Sequence, residues 1–275
     1  LLLIGAALRF YELGAQPPGL YRDEAFYALD AAGVLEGRLA LYFPANNGRE
    51  PLFIYLMAAS VGAFGHTPFA VRLPSAFIGL LTLAATYALG RALFTRRVGV
   101  LALGVAVSTF WPLALSRIGF RVGTLPLMAA LSLACAAWGW RKHNWRWVTL
   151  GGVFYGLSAY TYLATRVTPL PLLALGIFWY IARHATFPAW RWFAAFALPA
   201  VFVAWPLGLY AAWQPAMFFG RAGQVSILNP AIHHGDFWGT LFHNLWATLG
   251  LFNWQGDTIP RHNLPGRPVF DLITG

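Results

Sequence analysis

Long apolar runs joined by short polar connections fill the chain from Pro74 to Trp213. Six runs have the length and continuity of membrane-spanning helices: Pro74 to Phe94, Val98 to Leu115, Val122 to Trp140, Val148 to Leu163, Val167 to Ala182 and Phe193 to Trp213. Leu1 to Leu13 reads as the end of one more span, with Arg9 and Glu12 near its interfacial end and Pro17 and Pro18 closing it. The pattern therefore predicts an all-α, polytopic transmembrane bundle of about seven spans, the first of them truncated.

Two weaker segments fall in the first loop, residues 14–66. Asp23 is placed to cap a helix from Glu24 to Leu35, with Phe26, Leu29, Ala32 and Val34 approximating one apolar face, so this helix is expected to lie on the membrane surface. After the turn PANNG, Pro44 to Gly48, an apolar segment runs from Pro51 to Gly65; its fifteen residues fall short of the roughly 20 needed to span. Past Trp213 a second loop, residues 214–275, holds a short amphipathic stretch from Phe237 to Phe252 and a Pro-rich tail, GDTIPRHNLPGRPVFD. The chain begins mid-span without Met and stops in a polar loop, so it reads as a fragment with its C-terminal remainder missing.

Composition agrees with the pattern: 59% of residues are hydrophobic and 10% charged, against about 25% charged in soluble domains. The net charge of +10 is scattered through the loops, which excludes the contiguous basic face that nucleic acid requires. Cationic connections set the orientation. Arg91, Arg96, Arg97, Arg141, Lys142, Arg146, Arg183 and Arg191 fall on one side and Arg117, Arg121 and Arg166 on the other, eight against three. If Pro51 to Gly65 does not span, the loop holding Asp23 shares the cation-poor, extracytoplasmic side; if it does, that loop turns inward. The spans carry no ionisable residue at their middles and no internal repeat is visible, which argues against ion-coupled transport.

Chemistry at the interface fits better, and its centre is GLYRDEAFY, Gly19 to Tyr27. Asp23 and Glu24 are adjacent, so on a helix their side chains diverge by about 100 degrees and one of them is expected to act. The competing reading makes Asp23 an N-cap and Glu24 a first-turn acid. One carboxylate suffices when the leaving group is a phosphate, because no proton has to be supplied to it; cations around the phosphate are needed instead. Arg117 and Arg121, four apart in SRIGFR, would share a face, and Arg166 follows Tyr160 and Tyr162, which add aromatic and hydroxyl contacts. Arg49 and Arg72 are further candidates, and interfacial snorkelling is the alternative for each. Asp257, Arg261, His262 and Asn263 in the tail are placed to contact substrate. The histidines have no metal-ligand spacing and Cys135 stands alone, so no metal site is assigned, although a divalent cation is left open as a cofactor.

The chain resembles membrane glycosyltransferases of the GT-C fold, in the group of protein O-mannosyltransferases and lipid A aminoarabinose transferases, glycosyltransferase family 39-like. The DE pair at Asp23 and Glu24 carries the resemblance, as does the block REPLFIYLMAASVGAFGHTPFAVRLPSAFIGLLTLAATYALGRALF from Arg49 to Phe94. SRIGFR, GLSAYTYLATRVTPL and GDTIPRHNLPGRP look like a bacterial branch. The resemblance implies inverting transfer of a sugar from a polyprenyl-phosphate carrier to an unknown extracytoplasmic acceptor at the plasma membrane. It also implies Asp23 as the catalytic base, Glu24 supporting the site, and juxtamembrane helices in the first loop. A non-catalytic polyprenyl-phosphate binder or flippase would need the arginines but not Asp23, and a membrane scaffold would need neither.

Overall fold

A computed structural model describes residues 1–45, 47–182, 189–259 and 264–270. The chain is all-α. In order it forms α1 (Leu2–Phe10), α2 (Arg22–Leu35), α3 (Leu52–Phe64), α4 (Pro68–Leu93), α5 (Arg96–Ser108), α6 (Phe110–Arg117) and α7 (Thr124–Arg141). There follow α8 (Trp145–Ser158), α9 (Pro169–Ala182), α10 (Ala189–Trp213), α11 (Pro215–Val225), α12 (Pro230–His233) and α13 (Phe237–Asn253). α4 is the hub: α1, α3, α5, α6 and α7 pack on it, α8 packs on α7, and α10 on α8. The main apolar cluster, which includes Tyr27, Phe53, Ile54, Met57, Val71, Ile78 and Leu127, lies where α2 and α3 cover α4 and α7.

The hub helix starts six residues before the expected Pro74. Thr67 caps it by accepting from Ala70 N (3.2 Å), and Pro68 fills the first position, where a missing N–H costs nothing. Pro74 is then inside the helix and cannot donate to Ala70 O. The buried Ser60 hydroxyl, on α3, donates to Ala70 O instead at 2.6 Å, so the helix runs on through its proline.

Among the described residues, three helices are long and apolar enough to cross a membrane, Pro68–Leu93, Arg121–Arg141 and Trp190–Trp213, and the bent pair Arg96–Ser108 and Phe110–Arg117 makes a fourth if counted as one span. Of the six expected spans, Val148 to Leu163 and Val167 to Ala182 do not meet that measure among the described residues. The pair Arg96–Ser108 and Phe110–Arg117 bends by 62° at Thr109. Pro112 can sit in the first turn of α6 but cannot continue α5, and the Ser108 and Thr109 hydroxyls bond back to Val105 O at 3.1 and 2.7 Å. Val148 to Leu163 becomes a helix of fourteen residues, about 21 Å long against a hydrocarbon core of about 30 Å, and Val167 to Ala182 is helical from Pro169 to the last described residue of that stretch, Ala182. What stops α8 is local: the Thr161 and Thr165 hydroxyls both donate to Ser158 O, at 2.6 and 2.8 Å, taking an acceptor from the helix end. The Pro51 to Gly65 segment is the short helix α3, with Phe53, Ile54, Met57, Ala58, Ser60 and Val61 buried on one side and its last turn exposed.

α8 meets α10 almost backbone to backbone. A Cβ on Gly152 would collide with Phe196 O, and one on Gly156 with Ala200 O. Small residues of this kind let helices approach closely where lipid offers no hydrophobic drive for association.

The Ser60 contact is tested by a double-mutant cycle. Ser60→Ala should cost about 1–3 kcal/mol of stability, the penalty of an unsatisfied buried carbonyl. In a Pro74→Ala background, where residue 74 regains its N–H, the same change should cost almost nothing. Equal losses in both backgrounds, measured by denaturant unfolding in detergent, would rule out the substitution of one donor for another.

Candidate active site

The polar end of the bundle is organised by a buried ion pair. Glu24 is 1% exposed and Arg72 is fully buried. Arg72 Nε donates to Glu24 Oε1 at 3.0 Å, and Gly119 N donates to the same oxygen at 2.7 Å. Glu24 Oε2 accepts from Tyr21 N at 2.7 Å, so Glu24 is the third residue of a capping box and Tyr21 holds the N-cap. The expected cap at Asp23 is therefore corrected: α2 starts at Arg22 and Asp23 is within its first turn. The expected apolar face is corrected as well. Leu29 is exposed, while Glu24, Tyr27 and Ala31 turn inward at helical spacing because the carboxylate has to reach Arg72. Arg72 also donates to Leu13 O at 3.2 Å and to Gly19 O.

A tight turn delivers the next charges. Phe43 and Arg49 exchange backbone hydrogen bonds of 2.9 and 2.8 Å across the PANNG turn. Gly48, at φ +82°, lies against the Tyr42 ring where a Cβ would collide with the hydroxyl. Arg49, 1% exposed, points back at α2: its guanidinium lies 5.6 and 5.4 Å from the Phe26 and Tyr27 ring centres, and its Nη1 is 2.7 Å from Asp30 Oδ2. That approach is an ion pair without hydrogen-bond alignment, and Arg49 Nη2 has no hydrogen-bond partner among the described residues. Burial pushes the Asp30 carboxyl above its ordinary range, with Arg49 opposing the shift, and lowers Arg49, with Asp30 opposing. Asp23 is half-buried on the same side and its charge acts on both Arg49 and Tyr27. Burial raises the Tyr27 hydroxyl, and Arg121 pulls it down.

Glu50 completes the cluster. It is 2% exposed and bridges two arginines: Arg121 Nη1 donates to its Oε2, and Arg166 Nη2 to its Oε1 at 3.0 Å. Arg121 faces the Tyr162 ring at 5.3 Å, and its buried Nε has no hydrogen-bond partner among the described residues. Arg166 lies 3.8 Å from the Phe218 ring centre and donates to Phe218 O at 2.6 Å. Tyr42, 3% exposed, lies beside Arg166 and Glu50; burial raises its hydroxyl and Arg166 opposes.

The structure thus brings together Asp23, Arg49, Arg121, Arg166 and Tyr162, and separates others. Arg117 and Arg121 do not share a face, because the helix ends between them. Arg117 bonds the carbonyls of Leu8 (2.7 Å) and Tyr11 (2.8 Å), closing α1 rather than facing Asp23. Arg72 is spent on Glu24 and the first loop. Tyr160 anchors α8 to α10 by donating to Val203 O at 2.7 Å, and its carbonyl accepts from Leu52 N (3.0 Å). Asp257 Oδ1 accepts from Ile259 N at 2.9 Å and its carbonyl accepts from Gly266 N at 3.0 Å, while Arg267 lies against Phe110. Arg261, His262 and Asn263 lie outside the described residues, as does Arg183. Glu50, Asp30, Tyr27 and Tyr42 were not expected in the site. Acid scarcity could have signalled two of them: the chain has 9 acids, and an acid beside an apolar segment needs a counterion.

A family described as dolichyl-phosphate-mannose-protein mannosyltransferase matches residues 48–210. The chain belongs to that family. It is a membrane glycosyltransferase, and the matched region contains Arg49, Glu50, Arg72, Arg117, Arg121, Tyr160, Tyr162 and Arg166. Asp23 and Glu24 precede the match, so their roles rest on geometry. Neither a curated protein nor a solved structure matches the chain.

The glycosyltransferase should depend on Glu24 for stability far more than on its exposed acids. Glu24→Gln or Arg72→Met leaves one buried charge unpaired and should cost about 3–5 kcal/mol. Glu36→Gln breaks the exposed Arg38–Glu36 pair and should cost no more than about 1 kcal/mol. Unfolding midpoints in detergent decide; a Glu24→Gln protein as stable as wild type would remove the pair from its central place.

Proposed function

We propose that this glycosyltransferase moves a sugar from a polyprenyl-phosphate carrier to an acceptor hydroxyl, with inversion at the anomeric carbon and with Asp23 as the base. The observation that carries the reading is the meeting of one half-buried carboxylate, Asp23, with two buried guanidiniums that retain N–H groups lacking hydrogen-bond partners among the described residues, Arg49 Nη2 and Arg121 Nε. A phosphate suits those donors, because charge-assisted bonds from guanidinium to phosphate are strong and bidentate.

The step follows from these parts. The acceptor oxygen bonds to the anomeric carbon as its proton passes to Asp23, and the bond from that carbon to the carrier oxygen breaks with its electron pair staying on the phosphate. The leaving group is a weakly basic anion and needs no proton; Arg49 and Arg121 stabilise the charge it gains. Glu50 acts as a positioning residue that holds Arg121 and Arg166 in one fork. Tyr162, packed on Arg121, lines the approach. Glu24 and Arg72 set the position of α2 and hence of Asp23, and Arg117 serves α1; neither arginine is assigned to the carrier.

The reaction is assigned to the extracytoplasmic face. Arg91, Arg96, Arg97, Arg141, Lys142 and Arg146 lie at or beside the turns that join α4 to α5 and α7 to α8, at the far end of α4 from Arg72, and cation-rich connections face the cytoplasm.

Asp23→Asn preserves shape and should leave carrier binding unchanged while lowering turnover at least about a hundredfold, the contribution of a general base. Transfer at the wild-type rate from a polyprenyl-phosphate sugar sinks the assignment, and a wild-type protein that binds the carrier but never consumes it makes the chain a binder. For orientation, a cysteine at Asn47 should react with an impermeant thiol reagent added outside cells and one at Asn144 should not, with buried Cys135 inert in both. The opposite labelling inverts the topology.

A further inference from the structure

The end of the bundle away from Asp23 holds a second concentration of charge. Arg91 lies about 28 Å along α4 from Arg72 at 1.5 Å per residue, so it sits one hydrocarbon thickness away, at the level of the other leaflet's headgroups. There the turn joining α4 to α5 meets the turn joining α7 to α8. Between them is a cleft of about 370 Å³ lined by Arg91, Thr95, Arg96, Trp138, Arg141 and Lys142.

The cations in this cleft are held, not merely gathered. Arg141 donates to Ala92 O (2.8 Å) and Arg91 O (3.2 Å), which fixes its guanidinium at the end of α4. Arg91 and Lys142 both lie against Trp138, at 5.4 and 5.0 Å from its ring centre. Helix α5 begins at the same place, capped by Thr95 through Val98 N (3.3 Å), so the positive end of a 13-residue helix adds to the field. From Pro51 to Gly235 the chain contains no Asp or Glu. The helices and turns that build the cleft therefore supply no counterion, whereas Glu24, Asp30 and Glu50 are engaged at the other end. Apolar Phe94, exposed at 62%, lines the cleft as well, and Leu93, exposed at 53%, precedes it in the chain.

We propose that this cleft is a binding site for a phosphate group, supplied by an anionic lipid headgroup of the leaflet opposite the transfer site. A phosphodiester accepts the guanidinium, ammonium and helix N–H donors together, and polybasic clusters at membrane level recognise anionic headgroups. Soluble phosphate has the same chemistry, but the depth of the cleft and its apolar flank favour a phosphate attached to acyl chains. The site is independent of Asp23 and stands or falls without it.

The test is native mass spectrometry of the full chain in detergent, titrated with dioleoylphosphatidylglycerol or dioleoylphosphatidylcholine. Phosphatidylglycerol should bind at least tenfold more tightly than phosphatidylcholine. The triple change Arg91→Gln, Arg96→Gln and Lys142→Gln should weaken phosphatidylglycerol binding about a hundredfold, on the order of fivefold per cation removed. The double change Arg97→Gln and Arg146→Gln, which removes exposed cations outside the cleft, should leave it unchanged. If the triple variant does not fold, Lys142→Gln alone should give about a fivefold loss. Equal binding of the two lipids, or unaltered binding to a folded triple variant, overturns the proposal. Complete displacement of phosphatidylglycerol by millimolar inorganic phosphate overturns the lipid source and makes the cleft a soluble-phosphate site.

Discussion

A single carboxylate, Glu24, joins parts of the chain that would otherwise have no reason to meet. Its two oxygens accept from the start of α2, from Arg72 on α4 and from the extended link after α6, while Arg72 reaches the carbonyls of the first loop. Such a pair gains little over apolar packing in stability alone, since desolvation of both charges cancels much of their attraction. What it contributes is direction. With Glu24 pinned inward, the preceding side chain, Asp23, has to emerge about 100 degrees around the helix, toward Arg49 and Tyr27.

The arginines beyond that pair divide by what they touch. Arg117 and Arg141 each close a helix by bonding its last carbonyls, the favourable placement of a cation at the negative end of a helix. Arg49, Arg121 and Arg166 instead converge with Asp30 and Glu50 in a nearly dry layer beneath α2. In such a layer the charges are costly to leave unpaired, and donors that remain unmatched are strong seats for an incoming anion.

The helical class and most of the apolar runs were legible as unbroken hydrophobic stretches. The details that failed depend on contacts no local window contains. α4 begins before Pro74 because Ser60, on another helix, replaces the donor that proline lacks. α8 stops early because threonine hydroxyls compete for Ser158 O, a contest invisible to a hydropathy average. In the site, Asp23 and the arginines stood out by type and position. Glu50 did not, since its partners Arg121 and Arg166 are 71 and 116 residues away. Glu24 escaped recognition as a capping-box acid because Tyr21, not Ser or Thr, occupies the N-cap.

The glycine face between α8 and α10 has a mechanical consequence. Helices locked at Gly152 and Gly156, with Tyr160 tied to Val203 O, move as one slab that carries the start of α11 with it. Arg166 is fastened to that slab through Phe218 O, whereas Glu50 stands at the foot of α3 on the opposite wall. The foot of α3 is nonetheless tied to that slab twice, Glu50 through Arg166 and Leu52 N through Tyr160 O, so any displacement of α3 against the slab has to break both bonds.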